Sequence, residues 1–194
     1  TAGVQAAPTG STGIRREIVG PVGSVHFGES VIPLPNGNIV ITDPLYSEGG
    51  KISIGAAYLY NGQTGAQISV IKGTTNGDNV GSGVKVLSNG NYLIISSGWD
   101  NNGKMNVGAV TWASGNLGVN GVVSGANSLV GSTAGDNVGQ ENITVLSNGN
   151  YVVRSPNWDN GSATNAGAVT WGSGTKGVKG LVSKSNSLVG TRTG

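Results

Sequence analysis

The chain has 194 residues, of which 36 are glycine, and only 10% of the residues carry a charge. The 11 basic and 9 acidic residues nearly cancel and the basic ones form no cluster, so nucleic acid is not expected as a partner. The sequence has no cysteine, which excludes a disulfide framework and a cysteine-based metal site, and it contains no apolar run long enough to span a membrane.

The N-terminal region is predicted to precede the repeats. Residues 1–13 are small and polar and are expected to form a flexible tail, followed by a single repeat domain over 14–194. A short segment here matches the end of a later repeat; it consists of Glu17, Ile18, Val19 and Gly20. It precedes the Phe27-Gly28 pair by the same number of residues by which Ser-Leu-Val-Gly of the later repeat precedes a Val-Gly pair. We therefore expect an orphan strand over 17–20 that belongs to the sheet of a preceding repeat.

A block of residues occurs three times along the chain. The turn pair Asn-Gly recurs, and Gly-Ala-Val-Thr-Trp at 108–112 returns at 167–171. Such a fixed period is typical of repeat architectures. The pattern predicts three repeats, at about 24–76, 77–135 and 136–194.

The third repeat shows the predicted strands most clearly. A β-branched run at 143–146 is followed by Ser-Asn-Gly-Asn, and Asn-Gly is a strong hairpin signal because both residues tolerate positive φ. Further strands are predicted at 151–154, 167–171 and 187–190, the last after a Gly-rich loop. Four short antiparallel strands per repeat predict an all-β fold, a β-propeller-like array of four-stranded blades.

The second repeat indicates that the blades are stacked. In its strand at 91–96, Tyr92 and Ile94 point to one face while Leu93 and Ile95 point to the other, so both faces are apolar. A stack of three sheets leaves two outer faces to be covered. We therefore expect the chain to pack against copies of itself or against further repeats of a longer chain.

The repeat resembles the FG-GAP repeats of integrin α-type propellers and their relatives in bacterial surface proteins. Three motifs carry the resemblance. A Phe-Gly-like pair stands at Phe27-Gly28, Val80-Gly81 and Val138-Gly139. A Gly-Ala-Pro-like segment stands at 42–44, 96–98 and 154–156, and a Gly-Ala-Val-Tyr-like strand at 55–60, 108–112 and 167–171. The resemblance implies a propeller with roles in adhesion or ligand display, and an extracellular or cell-surface location. In many members an Asp-rich calcium loop joins the first two strands, but here an Asn-Gly turn stands there, so no metal is predicted.

The loop between the second and third strands holds the candidate ligand-binding residues. A Trp beside Asp and Asn suits sugar binding, because the ring stacks on C–H groups and the polar groups bind hydroxyls. Alternatively, the two Trp side chains wedge between blades while the Asp side chains cap the turn, an interpretation that we favour. The candidates are Trp99, Asp100, Asn102, Trp158, Asp159 and Asn160.

No catalytic set is predicted. Asp78 and Asp136 could ligate a cation, but bonds to nearby backbone N–H groups are the simpler expectation. His26 is the only histidine, and no Ser–His–Asp or His–metal arrangement can be built around it. We therefore predict no catalytic residue, no cofactor and no enzymatic activity.

Three functions are consistent with these patterns. The first is a non-enzymatic extracellular or cell-surface β-repeat module for adhesion or structural scaffolding, with glycans or a surface protein as further partners. The second is a carbohydrate-binding propeller that uses the Trp-Asp loops. The third is a self-assembling fibre subunit, in which the strand Glu17–Gly20 adds to the sheet of a neighbouring copy.

Overall fold

A computed structural model describes residues 17–194, and within this range the secondary structure consists of strands and turns, without a helix. The strands in chain order are β1 (Ser30–Pro33), β2 (Ile39–Asp43), β3 (Ala56–Tyr60), β4 (Gln67–Lys72), β5 (Gly83–Val86), β6 (Tyr92–Ser96), β7 (Ala109–Ala113), β8 (Gly121–Val122), β9 (Ser128–Val130), β10 (Thr144–Val145), β11 (Tyr151–Ser155), β12 (Ala168–Gly172), β13 (Gly180–Leu181) and β14 (Ser187–Val189).

Each repeat builds one antiparallel sheet from four of its strands. The first sheet contains β1, β2, β3 and β4; the second contains β5, β6, β7 and β9; and the third contains β10, β11, β12 and β14. The sheets are open and do not close on one another as a barrel. The predicted fold class, an all-β propeller-like array of blades, is confirmed.

The Asn-Gly turns join the first two strands of each sheet, as predicted. Gly37, Gly90 and Gly149 have φ angles of 86°, 83° and 83°, in the left-handed region that glycine adopts without strain. In the first turn the Asn36 side-chain oxygen accepts a hydrogen bond from the Asn38 N–H at 3.1 Å. The same bond recurs in the other two turns, so one local sequence produces one local geometry three times.

Two short strands were not predicted and extend the sheets. The connections between the third and fourth strands of repeats 2 and 3, here called the inserts, span residues 114–127 and 173–186. Strand β8 of the first insert pairs parallel with β4, and β13 of the second pairs parallel with β9. The first and second sheets therefore have five strands rather than four, and each fifth strand comes from the following repeat.

The hydrophobic core lies between the sheets. Leu59 and Ile71 of the first sheet pack with Tyr92 and Ile94 of the second. On the opposite face of the second sheet, Leu93 packs in a separate cluster with residues of the third sheet. The central strands β6 and β7 of the second sheet are thus buried on both faces, as the two-sided apolar pattern predicts.

The outer face of the first sheet is covered, contrary to the expectation of two open faces. Ile18 and Phe27 pack on this face, and the Phe27 ring lies 5.6 Å from the ring of Tyr58 in an edge-to-face arrangement. Asp43 holds the covering segment, because its two carboxylate oxygens accept the N–H groups of Val25 and His26, both at 3.1 Å. The N-terminal segment therefore closes one end of the stack.

The predicted orphan strand Glu17–Gly20 is absent. These four residues lie outside the strands, and Val19 is 74% exposed. A strand needs a neighbour to bond its backbone groups, and none of the described strands pairs with this segment. Instead Ile18 contributes an apolar side chain to the cover of the first sheet. The predicted tail over 1–13 lies outside the described residues.

Candidate functional site

The two tryptophans of the predicted sugar site are buried. Trp99 and Trp158 are each 4% exposed. Trp99 packs between the first and second sheets and Trp158 between the second and third, so the structure does not bring the two rings together. Neither ring has a free face on which a sugar could stack. The carbohydrate site built on these rings is therefore corrected: the rings occupy the inter-blade positions of the alternative interpretation.

The polar residues of the same loops shape the backbone. Asp100 Oδ1 accepts the N–H of Asn106 at 2.7 Å, and Asp159 Oδ1 accepts the N–H of Asn165 at 2.8 Å. The two bonds thereby fix Asn106 and Asn165, which have positive φ angles of 52° and 49°. Asn102 itself has φ of 50° in an exposed turn. Its role in the described structure is conformational.

Asn160 and the two buried aspartates complete this internal network. Asn160 Nδ2 donates to the Gly190 carbonyl at 2.7 Å. Asp136 Oδ2 accepts the N–H groups of Ser132 and Thr133 at 2.7 and 2.8 Å, and its Oδ1 accepts the N–H of Asp159 at 3.1 Å. These carboxylate oxygens bind backbone donors, as the turn interpretation predicts.

Asp78 has the same environment in the second repeat. Its carboxylate accepts the N–H groups of Thr74, Thr75 and Asp100 at 2.7, 2.8 and 3.0 Å. Burial raises the pKa of Asp78, while these three donors act in the opposite direction. The two aspartates therefore serve as structural anchors between successive loops.

Clustered metal ligands and long apolar helices are absent from residues 17–194. No group of three or more His, Asp or Glu side chains could hold an ion there. His26 makes an exposed contact with Glu29, with its Nδ1 atom 3.5 Å from the Glu29 carboxylate. No helix in this part of the chain is long and apolar enough to cross a membrane.

The third sheet presents an uncovered apolar surface, here called the open face, formed by Val152, Val169, Trp171 and Leu188. Val169 is 42% exposed, Trp171 54% and Leu188 80%. The equivalent positions in the second sheet are Leu93, Val110, Trp112 and Leu129, and in the first sheet Val40, Ala57, Leu59 and Ile71. All of these are fully buried by the next sheet except Trp112, which is half-buried. The open face is therefore the candidate functional site.

A polar clamp borders the corresponding face of the second sheet. The side-chain N–H groups of Asn89, Asn91 and Trp112 all donate to one acceptor, the Gly174 carbonyl of the second insert, at 2.7, 2.9 and 3.0 Å. In the first sheet Asn36 and Asn38 donate to the Gly115 carbonyl of the first insert in the same way. The clamp joins the first and second sheets to the insert of the repeat that follows each of them.

Sequence reasoning predicted an uncovered outer sheet face, but it did not identify the residues that form the open face, and it missed the clamp. The Asn-Gly-Asn triplet was interpreted only as a turn signal, and the inserts only as Gly-rich loops. The signal that could have revealed the clamp is the second Asn of the triplet, which recurs in all three repeats. A hairpin turn requires only the Asn-Gly pair, so a repeated second Asn indicates a further role.

Comparison with known families identifies the repeat. A family model described as a repeat of unknown function, DUF5650, matches residues 33–82, 86–140 and 145–194, which together exceed half of the chain. The chain belongs to the DUF5650 family. Each match in this DUF5650 protein begins at the last residue of the first strand of a sheet, Pro33, Val86 or Val145, and contains the other three antiparallel strands of that sheet. No curated protein matches the chain. The resemblance to FG-GAP repeats stays a prediction.

Proposed function

We propose that this DUF5650 protein is a non-enzymatic module of an extracellular or cell-surface β-repeat array, with a role in structural scaffolding or adhesion. The observation that carries the proposal is the reuse of one interface. The same side-chain positions join sheet 1 to sheet 2 and sheet 2 to sheet 3, and the third sheet offers them again. A chain whose units bind one another in series is suited to span a distance.

The polar side chains support a structural role. Asp78 and Asp136, which could have formed a cation site, each bind three backbone N–H groups. Asp43, the other fully buried carboxylate among the described residues, holds the N-terminal segment. These carboxylates stabilise loops and are directed away from solvent. The FG-GAP resemblance independently favours adhesion and a surface location.

The alternative functions find less support. Sugar binding by Trp99 and Trp158 would require both rings to leave the core. Fibre growth through Glu17–Gly20 would require Ile18 to leave the first sheet, which would expose Tyr58 and its neighbours. Both steps expose apolar surface and therefore cost free energy.

Surface accessibility on native cells tests the proposed location. Intact cells of the native host are labelled with an antibody against the purified chain, and lysed cells serve as the positive control. A cytosolic protein is probed in parallel to show that the cells are intact. We expect labelling before lysis and its loss when intact cells are treated with protease. Labelling that appears only after lysis would contradict the proposal.

A further inference from the structure

We propose that the open face docks a further repeat of the type of repeats 2 and 3, which adds a parallel strand to β14 and a glycine carbonyl to a prepared clamp. The inference rests on the proposed role as an array module and names the partner of its exposed end. Three independent features of the third sheet support it: its apolar side chains, its strand edge and its side-chain donors.

The apolar positions of the open face match an interface that the molecule already makes. Leu129 lies at the position of Leu188 and Val110 at that of Val169, and both are completely buried beneath the third sheet. The residues that cover them include Tyr151 and Val153 of the third sheet. An incoming repeat with an aromatic and a β-branched residue at these positions would bury the open face in the same way.

The free edge of β14 has the position that accepts a fifth strand in the other two sheets. In the first sheet the Lys72 carbonyl accepts the N–H of Val123 at 3.0 Å, and in the second the Val130 carbonyl accepts the N–H of Val182 at 2.9 Å. Val189 occupies the position of Val130. Strand β14 has β12 on one side and no described strand on the other. Its exposed edge can therefore accept a parallel strand.

The third sheet carries the same three side-chain donors as the clamp of the second sheet, and the two asparagines are fixed in the same way. Asn148 Oδ1 accepts the N–H of Asn150 at 3.1 Å, and Asn150 Oδ1 accepts the N–H of Gly174 at 3.0 Å. The same bonds fix Asn89 and Asn91 in the second sheet. The side-chain N–H groups of Asn148, Asn150 and Trp171 have no acceptor within residues 17–194, and they are the equivalents of the three donors to Gly174.

The partner must carry an insert, which distinguishes it from the first repeat of a second copy. The equivalent connection in repeat 1 spans only residues 61–66 and contains no strand. In addition, Ile18 and Phe27 already cover the first sheet on the side that would have to dock. The insert of the partner must also have a glycine at the position of Gly177, in addition to the one whose carbonyl enters the clamp. A Cβ at Gly177 would approach the Trp112 Cβ to 2.5 Å, so a larger residue does not fit there.

A four-repeat protein tests the proposal. Residues 136–194 are appended directly after Gly194. This junction reproduces the natural one after Gly135, because the two glycines make equivalent bonds: the Gly194 N–H donates to the Thr164 carbonyl at 3.2 Å and the Gly135 N–H donates to the Met105 carbonyl at 3.0 Å. The tryptophan equivalent to Trp171 in the added copy is replaced by Phe. Apart from the half-buried Trp112, which is common to all the proteins compared, Trp171 is then the one tryptophan whose exposure in the three-repeat protein exceeds a few per cent, so a change in quenching reports on Trp171. The readouts are iodide quenching of Trp171 and hydrogen exchange in β14.

We expect Trp171 to become protected from iodide and the Val189 amide to exchange about tenfold more slowly than in the three-repeat protein. Two matched controls should lose this protection. The first is the fusion whose added copy carries residues 61–66 in place of 173–186. The second is the fusion with Leu188→Asp, a change at a side chain that is 80% exposed and should leave the three-repeat protein folded.

Equal quenching of Trp171 in all fusions would overturn the proposal, as would protection that survives the short connection. Light scattering of the unmodified chain tests the other possible occupant of the open face, a second copy of the chain. If Trp171 becomes protected as dimers form with rising concentration, a second copy covers the open face and the proposal is wrong. These outcomes do not depend on cellular location, so failure of docking and failure of the surface-labelling test remain distinguishable.

Discussion

At the scale of single residues, the buried aspartates show how a loop-rich stack is held together. Asp78 and Asp136 each belong to the loop that leads into a new sheet, and each accepts N–H groups from its own loop and from the next one. A buried backbone donor without an acceptor is costly, so one carboxylate that satisfies three donors stabilises two loops at once.

Replacement of Asp136 by Ala is expected to destabilise the protein by about 3 kcal/mol or more, because three N–H groups lose a charged acceptor. The matched control is Asp159→Ala, which removes the acceptor of a single N–H, that of Asn165, and should cost about 1 kcal/mol. Urea unfolding followed by circular dichroism measures both values. Equal losses for the two variants would show that the buried carboxylate is not the anchor we describe.

At the scale of elements, the inserts account for the connection between sheets. Strands β8 and β13 have only two residues each, and each contributes backbone hydrogen bonds to the sheet of the preceding repeat. The following residues, Val123 and Val182, are buried at the same boundary. The insert is thus bonded to one sheet although it belongs to the chain of another.

The backbone bond of Val182 can be isolated by a pair of substitutions. Val182→Pro removes both the side chain and the N–H that donates to the Val130 carbonyl, whereas Val182→Ala removes only the side chain. We expect Val182→Pro to be less stable than Val182→Ala by about 1 kcal/mol or more, measured as the difference in free energy of unfolding. Indistinguishable stabilities would mean that β13 contributes through side-chain burial alone.

At the scale of the whole molecule, the stacking of sheets buries tyrosines. Tyr58, Tyr92 and Tyr151 are almost inaccessible, and burial raises the pKa of all three, to about 12 for Tyr151. In the unfolded chain a tyrosine ionises near pH 10. Between these pH values the folded state binds more protons than the unfolded state, so its stability falls as the pH rises.

We therefore expect the free energy of unfolding to fall steadily between about pH 10 and pH 12. In Tyr151→Phe the decline should be shallower, because one of the ionising groups is gone, although the variant also loses the bond from the Val178 N–H to the Tyr151 hydroxyl. Urea midpoints measured from pH 8 to pH 11.5 give the slope, which is independent of that constant loss. An identical slope in Tyr151→Phe would contradict the assignment.

The sequence by itself determined the features that depend on neighbouring residues. The Asn-Gly triplets specified the hairpin turns through positive φ at Gly37, Gly90 and Gly149, and the two-sided apolar pattern of 92–95 specified stacked sheets. The expectation that Asp78 and Asp136 accept nearby backbone N–H groups also followed from the local sequence. Such patterns are readable because turn geometry and strand alternation are set within a few residues.

Only the tertiary structure decided which surfaces meet. Strands β8 and β13 carry no local signal, since two residues with a glycine form a strand only when β4 and β9 offer an edge. Ile18 joins the cover of the first sheet instead of forming a strand, because its burial depends on Tyr58 and its neighbours, far along the chain. The open face likewise appears only when the third sheet is compared with two covered ones, because burial is a property of the partner as much as of the residue.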